Sequence, residues 1–252
     1  MKILKILIIT LVASTLWAAC KKDSSDTTPT TVRMTDAPGN YQQVNVDVIG
    51  VEFTMSSSAI VNLNVKPGIY DLIKLTNGID VIIATADLPA GKLSQVRLIL
   101  GTNNTVKVDN IVYPLSTPSA MQSGLKINVN ATLVAGVAYD LLLDFDANES
   151  IVVTGVGDYK LKPVIKSIDV ATSGSISGSI VTSASLPASV KAFDGINTYS
   201  TYTDANGNFL LRGVSAGTYT VLITPSSVFT VKTYTNVIVT VGNLKTLGSI
   251  SF

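Results

Sequence analysis

The sequence predicts an all-β protein with two antiparallel β-sandwich domains in tandem, placed after a lipoprotein signal peptide. Three observations lead to this prediction: apolar residues recur at every second position, turn residues separate the apolar runs, and Ser, Thr, Asn and Gly are abundant. Charged residues make up only 14% of the 252 residues, against roughly 25% in an ordinary soluble domain. Many short alternating strands divided by turns are typical of sandwiches.

The N-terminus has the features of a bacterial lipoprotein signal. Lys2 and Lys5 precede an apolar run that is too short to span a bilayer as a helix. The run ends in Leu16-Trp17-Ala18-Ala19-Cys20, which resembles a lipobox and contains the only cysteine of the chain. We therefore predict a signal peptide over residues 1–19 and lipidation of Cys20, whose acyl chains would anchor the protein to a membrane.

The residues after Cys20 predict a tether and a location. Residues 20–31 are polar and carry no core-forming side chain, so we expect a flexible tether there. Lys22-Asp23 resembles the surface-export tags of lipoproteins in some diderm bacteria. The expected location is the outer membrane, with the protein either exposed on the cell surface or facing the periplasm.

Apolar residues at a spacing of two predict the first sandwich over residues 32–171. Val44, Val46 and Val48 alternate with polar residues, and the same spacing recurs around Val96 and Val106. Turn signals separate these runs: Pro38-Gly39-Asn40, Pro67-Gly68, Asn77-Gly78, Pro89-Ala90-Gly91 and Asn103-Asn104. One face of each strand is therefore expected to be buried and the other to face water.

A second sandwich is predicted over residues 174–252. The composition changes to small residues at Ala171-Thr172-Ser173-Gly174-Ser175, as at a domain junction. Asn206-Gly207 then predicts a hairpin turn, because these residue types adopt positive φ at low steric cost. Val237, Val239 and Val241 form a last alternating run.

The first predicted domain, from about Val32 to Asp169, resembles the family called domain of unknown function 4382. The resemblance rests on stretches that follow one another through the domain: Thr35-Asp36-Ala37-Pro38, Val46-Asp47-Val48-Ile49-Gly50-Val51-Glu52, Tyr70-Asp71-Leu72, Asp87-Leu88-Pro89-Ala90-Gly91, Gln95-Val96-Arg97-Leu98-Ile99-Leu100, Gly124-Leu125-Lys126, Leu143-Asp144-Phe145-Asp146-Ala147 and Tyr159-Lys160-Leu161-Lys162-Pro163-Val164-Ile165. Because the family has no established function, the resemblance implies an architecture only.

The segment from about Ser177 to Phe252 resembles a carboxypeptidase regulatory-like domain. The matching stretches are Ile176-Ser177-Gly178-Ser179-Ile180-Val181, Thr203-Asp204-Ala205-Asn206-Gly207-Asn208-Phe209 and Gly213-Val214-Ser215-Ala216-Gly217-Thr218-Tyr219-Thr220-Val221. The resemblance implies a transthyretin-like, carbohydrate-binding-like sandwich that is appended to exported proteins as an accessory module. It does not imply that a sugar is bound.

The composition excludes several functions. The chain has no histidine and one cysteine, which excludes Ser-His-Asp and Cys-His nucleophiles, imidazole metal sites and paired-cysteine sites. The formal net charge of +1 gives no basis for nucleic-acid binding.

Asp144, Asp146 and Asn148 are the candidate metal ligands. They alternate along one extended segment, so their oxygens could converge on Ca²⁺. An EF-hand loop, however, would have a glycine in place of Glu149 and a bidentate acid in place of Gly155. The favoured interpretation is a strand end whose carboxylates cap turns, with no cofactor required and Ca²⁺ as the alternative.

A carboxylate-based hydrolase is the weakest alternative for the function. Such an enzyme needs two acids that face each other across a cleft. Glu52 and Glu149 are the only glutamates, and the sequence gives no reason to place either opposite Asp144. We predict that the protein is not an enzyme.

Tyr199, Tyr202 and Tyr234 are the candidate carbohydrate-binding residues. Sugars often stack on exposed aromatic rings, and no tryptophan follows the signal peptide. Tyr219 is expected in the core instead. Tyr199 and Tyr202 have opposite parity along a strand, so only one of them can lie on a given face.

These features predict a non-enzymatic cell-envelope lipoprotein that displays two sandwich modules for binding. The expected partners are a membrane, through Cys20, and an extracellular polysaccharide or another surface protein; nucleic acid is not expected. The alternative is a Ca²⁺-stabilised structural or adhesion subunit of a surface assembly. An unpaired, apolar edge strand would favour that alternative, and exposed aromatics in a groove would favour sugar binding.

Overall fold

The computed structural model describes residues 26–37, 41–117, 124–155, 157–226 and 228–252. In these ranges the chain is almost entirely β-structure arranged in antiparallel sandwiches, which confirms the predicted fold class. The predicted signal peptide, Cys20 and the first half of the predicted tether, residues 20–25, lie outside the described residues. Where the structure describes the chain, it contains no helix both long and apolar enough to cross a membrane.

The first domain is formed by strands β1 to β14. Their bounds are β1 Thr27–Ala37, β2 Gln43–Met55, β3 Ile60–Asn62, β4 Asn64–Val65, β5 Gly68–Asp71, β6 Val81–Pro89, β7 Gly91–Leu100, β8 Thr105–Val108, β9 Ile111–Ser116, β10 Leu125–Leu133, β11 Tyr139–Asp146, β12 Ile151–Val153, β13 Tyr159–Leu161 and β14 Ile165–Asp169. A 3₁₀ turn at Leu72–Leu75 and a four-residue helix α1 at Ala147–Ser150 complete the domain.

Two sheets enclose the first core. One has the strand order β14-β11-β1-β6-β4, and the other has the order β10-β7-β2-β8-β9-β13-β12, with β3 and β5 paired to β2. Most pairs are antiparallel, but β1 runs parallel to β11 and β9 runs parallel to β13. The alternating apolar residues whose burial was predicted, such as Val44, Val46 and Val48, are fully buried between the sheets.

The expected boundary of the tether is wrong, because β1 already begins at Thr27. Thr28 and Thr30 are 0% and 3% exposed, and the Thr28 hydroxyl donates a hydrogen bond to the Val134 carbonyl at 2.8 Å. Threonine is β-branched and favours strands, and its hydroxyl can be satisfied by a backbone carbonyl. A polar, threonine-rich run can therefore form the central strand of a sheet.

The second domain is formed by strands β15 to β21. Their bounds are β15 Ser173–Ile180, β16 Ser189–Phe193, β17 Thr198–Tyr202, β18 Asn208–Ser215, β19 Gly217–Thr224, β20 Lys232–Val239 and β21 Leu244–Ile250. The sheets have the orders β18-β15-β21 and β17-β16-β19-β20. A separate core lies between them and includes Tyr219, which is 1% exposed.

Candidate functional site

The second domain covers part of the outer face of the five-stranded sheet of the first domain. Leu142 on β11 and Ile168 on β14 are only 3% and 8% exposed, although they belong to neither core. Gly213 on β18 packs so closely on Ile168 that an added Cβ would lie 2.6 Å from its Cγ2 atom. The two residues are therefore buried by contact between the domains.

A cluster of charged side chains, here called the charge clamp, fastens one side of this junction. Asp80 accepts hydrogen bonds from Arg33 Nη1 of the first domain, at 2.8 Å, and from Arg212 Nη1 of the second. Arg33 Nε also donates to both oxygens of Asp140, at 3.1 and 3.0 Å. These residues line a cleft of about 390 Å³. Their charges are satisfied by one another, so the clamp holds the domains rather than offering free groups to a ligand.

At the same junction, the side-chain amide of Asn77 makes hydrogen bonds that resemble those between neighbouring strands. Its Nδ2 donates to the Asn208 carbonyl at 3.2 Å, and its Oδ1 accepts from the Leu210 amide at 2.6 Å. β15 and β21 lie on the other side of β18 in that sheet, so Asn77 contacts the free edge of β18. One side-chain amide thus stands in for a residue of a neighbouring strand and covers this edge.

An open groove of about 840 Å³ lies along the junction, and we call it the interdomain groove. β10 and β14 of the first domain and β17 and β18 of the second contribute its walls. All four are edge strands of their sheets. Polar groups along it include Asn128, Ser167, Thr172, Asn197, Thr198 and Ser215. The groove therefore offers hydrogen-bonding side chains from both domains to one extended ligand.

Lys166 connects the groove walls. Its Nζ donates to the Thr198 carbonyl of β17 at 2.6 Å and lies 5.9 Å from the centroid of the Tyr199 ring. Lys166 also lies opposite Asp144 across the β11–β14 pair. Burial raises the pKa of Asp144 to about 7, an effect that the Lys166 charge partly offsets.

The three candidate metal ligands have different environments. Asp144 is on the outer face of β11, where the second domain covers it. Asp146 Oδ1 accepts a hydrogen bond from the Glu149 amide at 2.9 Å and so caps α1, while Asn148 is exposed on α1. Asp146 thus has the turn-capping role of the favoured interpretation. Among the described residues no three His, Cys, Asp or Glu side chains form a group that could hold a metal ion, so the calcium prediction gains no support.

Asp36 is a chemically distinctive residue to which sequence reasoning gave no role. It is 4% exposed, its Oδ1 accepts from the Ala147 amide at 2.9 Å, and its Oδ2 has no hydrogen-bond partner in the described part of the chain. Burial raises the pKa of Asp36 to about 9, with further increases from nearby carboxylates and an opposing effect of the Ala147 hydrogen bond. The sequence contained one indication that Asp36 is buried: by its position along the strand, it shares a face with the buried Val32 and Met34.

The acids of the hydrolase hypothesis are not brought together. Glu52 lies on β2 in the nine-stranded sheet, where Arg97 Nη1 contacts its Oε2 at 3.0 Å. Asp144 belongs to the five-stranded sheet, and Glu149 is exposed on α1. None of these pairs faces across a cleft in the described part of the chain.

The candidate tyrosines do not form a common platform. Tyr199 is 8% exposed, its ring meets the Tyr219 ring edge-on at 5.9 Å, and its hydroxyl lies 3.0 Å from Ser215 Oγ. Tyr199 therefore offers no freely exposed ring for stacking, because the ring packs against Tyr219 and lies beside the Lys166 ammonium group. Tyr202 and Tyr234 are half-buried on β17 and β20, the opposite edges of one sheet.

Three solved structures show limited similarity to this chain. A type II cohesin–X–dockerin complex from Acetivibrio cellulolyticus is 31% identical over 30% of this chain and 52% of its own, with a TM-score of 0.25. The TIE protein of Bacillus anthracis is 15% identical over 88% of this chain and 33% of its own, at 0.24. The major pilin subunit BcpA of Bacillus cereus is 10% identical over 90% and 70%, at 0.23. These TM-scores are too low to support an argument about this chain.

This chain spans only 52% and 33% of the first two of these structures. A search of curated proteins found no match. The sequence model of the family described as domain of unknown function (DUF4382) matches residues 27–163. Because that match covers more than half of the 252 residues, the chain belongs to the DUF4382 family.

Proposed function

We propose that this protein is a non-enzymatic cell-envelope lipoprotein that binds an extracellular polysaccharide in the interdomain groove. The observation that carries the proposal is the groove itself, which is walled by edge strands of both domains and has a volume of about 840 Å³. Binding sites occur preferentially at domain interfaces, and volumes of roughly 300–1,000 Å³ are typical of them. An open groove of this size suits a short stretch of a polymer.

The lining of the groove matches the chemistry of sugars. The lining includes hydroxyl and amide groups, such as those of Asn128 and Thr198, and exposed apolar side chains, such as those of Val164 and Ile196. A sugar ring presents hydroxyls at its rim and C–H groups on its faces, so both kinds of lining group have a counterpart. Lys126 is exposed in the groove and could also contact an acidic sugar.

The charge clamp supports this function by fixing the groove walls. A groove between two domains keeps its shape only if the domains keep their orientation. Asp80 receives an arginine from each domain, and Asn77 bonds to the edge of β18. The ligand would therefore meet a pre-organised surface, which reduces the entropy lost on binding.

The anchor and the second module complete the proposal. Acylation of Cys20 would keep the sandwiches at the outer membrane, and incorporation of a fatty-acid analogue into the protein tests that step. The three-stranded and four-stranded sheets of the second domain are compatible with a carboxypeptidase regulatory-like fold. In this proposal that module acts as an accessory wall of the binding groove.

Assembly through strand addition has less support. β20 and β21 are edge strands of the second domain, and each contains a residue with positive φ, Asn236 at 56° and Gly248 at 72°. The register shifts at both places, and the Gly248 amide donates to Thr246 Oγ1 instead of facing outward freely. Bulges of this kind disfavour pairing with another chain.

Binding of the mature chain to a panel of neutral and acidic polysaccharides tests the proposed function. Lys126 and Asn128 are exposed on β10 within the groove, so Lys126→Ala/Asn128→Ala should weaken binding about tenfold, the effect of losing roughly 1.4 kcal/mol of hydrogen bonding. The matched control is Thr233→Ala/Thr235→Ala, which alters exposed positions on β20 and should leave affinity unchanged. Equal affinities for both double variants would contradict the proposal.

A further inference from the structure

A small side pocket of about 160 Å³ opens beside the interdomain groove. Ser167 and Asp169 line both spaces, so the pocket adjoins the groove. It lies where β10 bulges, because the register between β10 and β7 shifts between Asn128 and Ala131. Bulges re-aim side chains and are frequent beside binding sites.

Tyr139 is one of the residues that line this side pocket. The residue is 7% exposed, and its buried hydroxyl has no hydrogen-bond partner among the described residues. An unsatisfied buried hydroxyl destabilises a protein by roughly 1–3 kcal/mol, so its retention calls for an explanation. Burial and the Asp169 charge both raise the pKa of the phenol, which keeps it protonated as a donor.

The other lining groups define which ligand would complete this hydrogen bond. Asp169 supplies a carboxylate whose Oδ1 accepts from the Ala171 amide at 3.0 Å, and Asn130 lies at the bulge. Val129 and Leu141 add apolar surface. A fitting ligand must accept a hydrogen bond from Tyr139, donate one to Asp169 and present an apolar face. A negative charge would be repelled by the Asp169 carboxylate.

We infer that the side pocket binds one neutral, hydroxyl-bearing unit, a single sugar residue, with Tyr139 as the specificity-determining donor. The inference deepens the proposed function and rests on it for the source of the sugar, which would be a unit of the polymer in the adjoining groove. A sugar hydroxyl can accept from Tyr139 while its neighbour donates to Asp169. Its C–H face would pack on Val129 and Leu141.

The substitution Tyr139→Phe separates binding from folding. It removes only a hydroxyl that has no partner among the described residues, so the melting temperature should stay the same or rise slightly. Affinity should fall about tenfold, equivalent to roughly 1.4 kcal/mol. Tyr70→Phe is the matched control. The Tyr70 hydroxyl donates to the Lys66 carbonyl at 2.6 Å, and Tyr70 lines neither the interdomain groove nor the side pocket. It should lower stability and leave binding unchanged.

The probes are methyl glycosides of neutral hexoses and pentoses, with methyl glucuronide as the charged comparison, measured by saturation-transfer NMR on the full mature chain. Binding of a neutral glycoside that is lost in Tyr139→Phe supports the inference, even if no polysaccharide binds. Polysaccharide binding that Tyr139→Phe leaves intact overturns the inference and leaves the proposed function standing. Absence of glycoside binding together with an ordered water on the Tyr139 hydroxyl in a crystal structure also overturns it.

Discussion

The two faces of β1 each carry an ionisable residue, and the two residues have different environments. On the outer face, Arg33 is held by carboxylates of Asp80 and Asp140 at the junction with the second domain. On the inner face, Asp36 is buried; among the described residues it forms no ion pair, and one of its oxygens has no hydrogen-bond partner. The same strand thus presents a satisfied charge to one domain boundary and an unsatisfied acid to its own core.

This difference shows how each face uses its polar residue. Ion pairs that are shared between domains fix an orientation, because each partner would be left unpaired if the domains separated. An acid that is buried without a cation is instead held neutral by a raised pKa. We therefore expect domain docking on the outer face to depend on each ion-pair partner, and stability on the inner face to depend on pH.

The largest expected effect concerns the inner face. The pKa of Asp36 is raised from 3.8 to about 9, so the folded state favours the protonated acid. The contribution of Asp36 to the free energy of unfolding should be highest below about pH 4 and should fall as pH rises towards 9, since the unfolded chain releases this proton more readily. Asp36→Asn cannot ionise and can still accept from the Ala147 amide, so it should remove this part of the pH dependence.

Urea denaturation of the wild type and Asp36→Asn across this pH range measures the effect. The stability advantage of the variant should grow steadily with pH and be negligible in acid. Asp87→Asn is the control, because Asp87 is exposed at the end of β6. Parallel stability profiles for the wild type and Asp36→Asn would show that Asp36 does not titrate in this range.

A smaller effect is expected when the outer face loses its central acid. Asp80→Ala leaves Arg33 and Arg212 without their shared partner. The Asp80 side chain is 11% exposed but that of Arg212 is 46% exposed, so we expect a loss of about 2 kcal/mol of docking free energy after allowance for solvent screening. Small-angle scattering should then show a larger radius of gyration.

Asp87→Ala is the matched control for charge, and it should leave scattering unchanged. High salt should reproduce part of the Asp80→Ala effect in the wild type, because exposed ion pairs are screened. A compact Asp80→Ala variant with unchanged polysaccharide binding would remove the charge clamp from the account of the groove.

The sequence was sufficient to predict the strands and their buried faces, but not the contacts that their outer faces make with another domain. Alternation around Val44 and Val96 identified buried faces, because one side of a strand in a sandwich must meet a core. It could not reveal that Leu142 and Ile168 on the outer face are buried by another domain. Nor could it pair Asp80 with Arg212, which is 132 positions away.

The candidate site was only partly within reach of sequence reasoning. Parity correctly placed Tyr199 and Tyr202 on opposite faces of a strand, but it could not say which face would be buried. The groove depends on four edge strands from two domains, and Tyr139 gains its role from a bulge in β10. Such features arise from tertiary register, which residue spacing within a single strand does not encode.

The smallest expected effect concerns the strand-like contact of Asn77. Asn77 has a φ of 57°, so Asn77→Gly removes the amide without forcing a side chain into a left-handed conformation. Loss of its bonds to Asn208 and Leu210 should weaken docking by about 1 kcal/mol and speed hydrogen exchange at the Leu210 amide. Asn110→Gly, at a φ of 64° in the β8–β9 turn, is the matched control. Equal exchange at Leu210 in both variants would mean that the edge of β18 is protected by the packing of Gly78 and Leu210 alone.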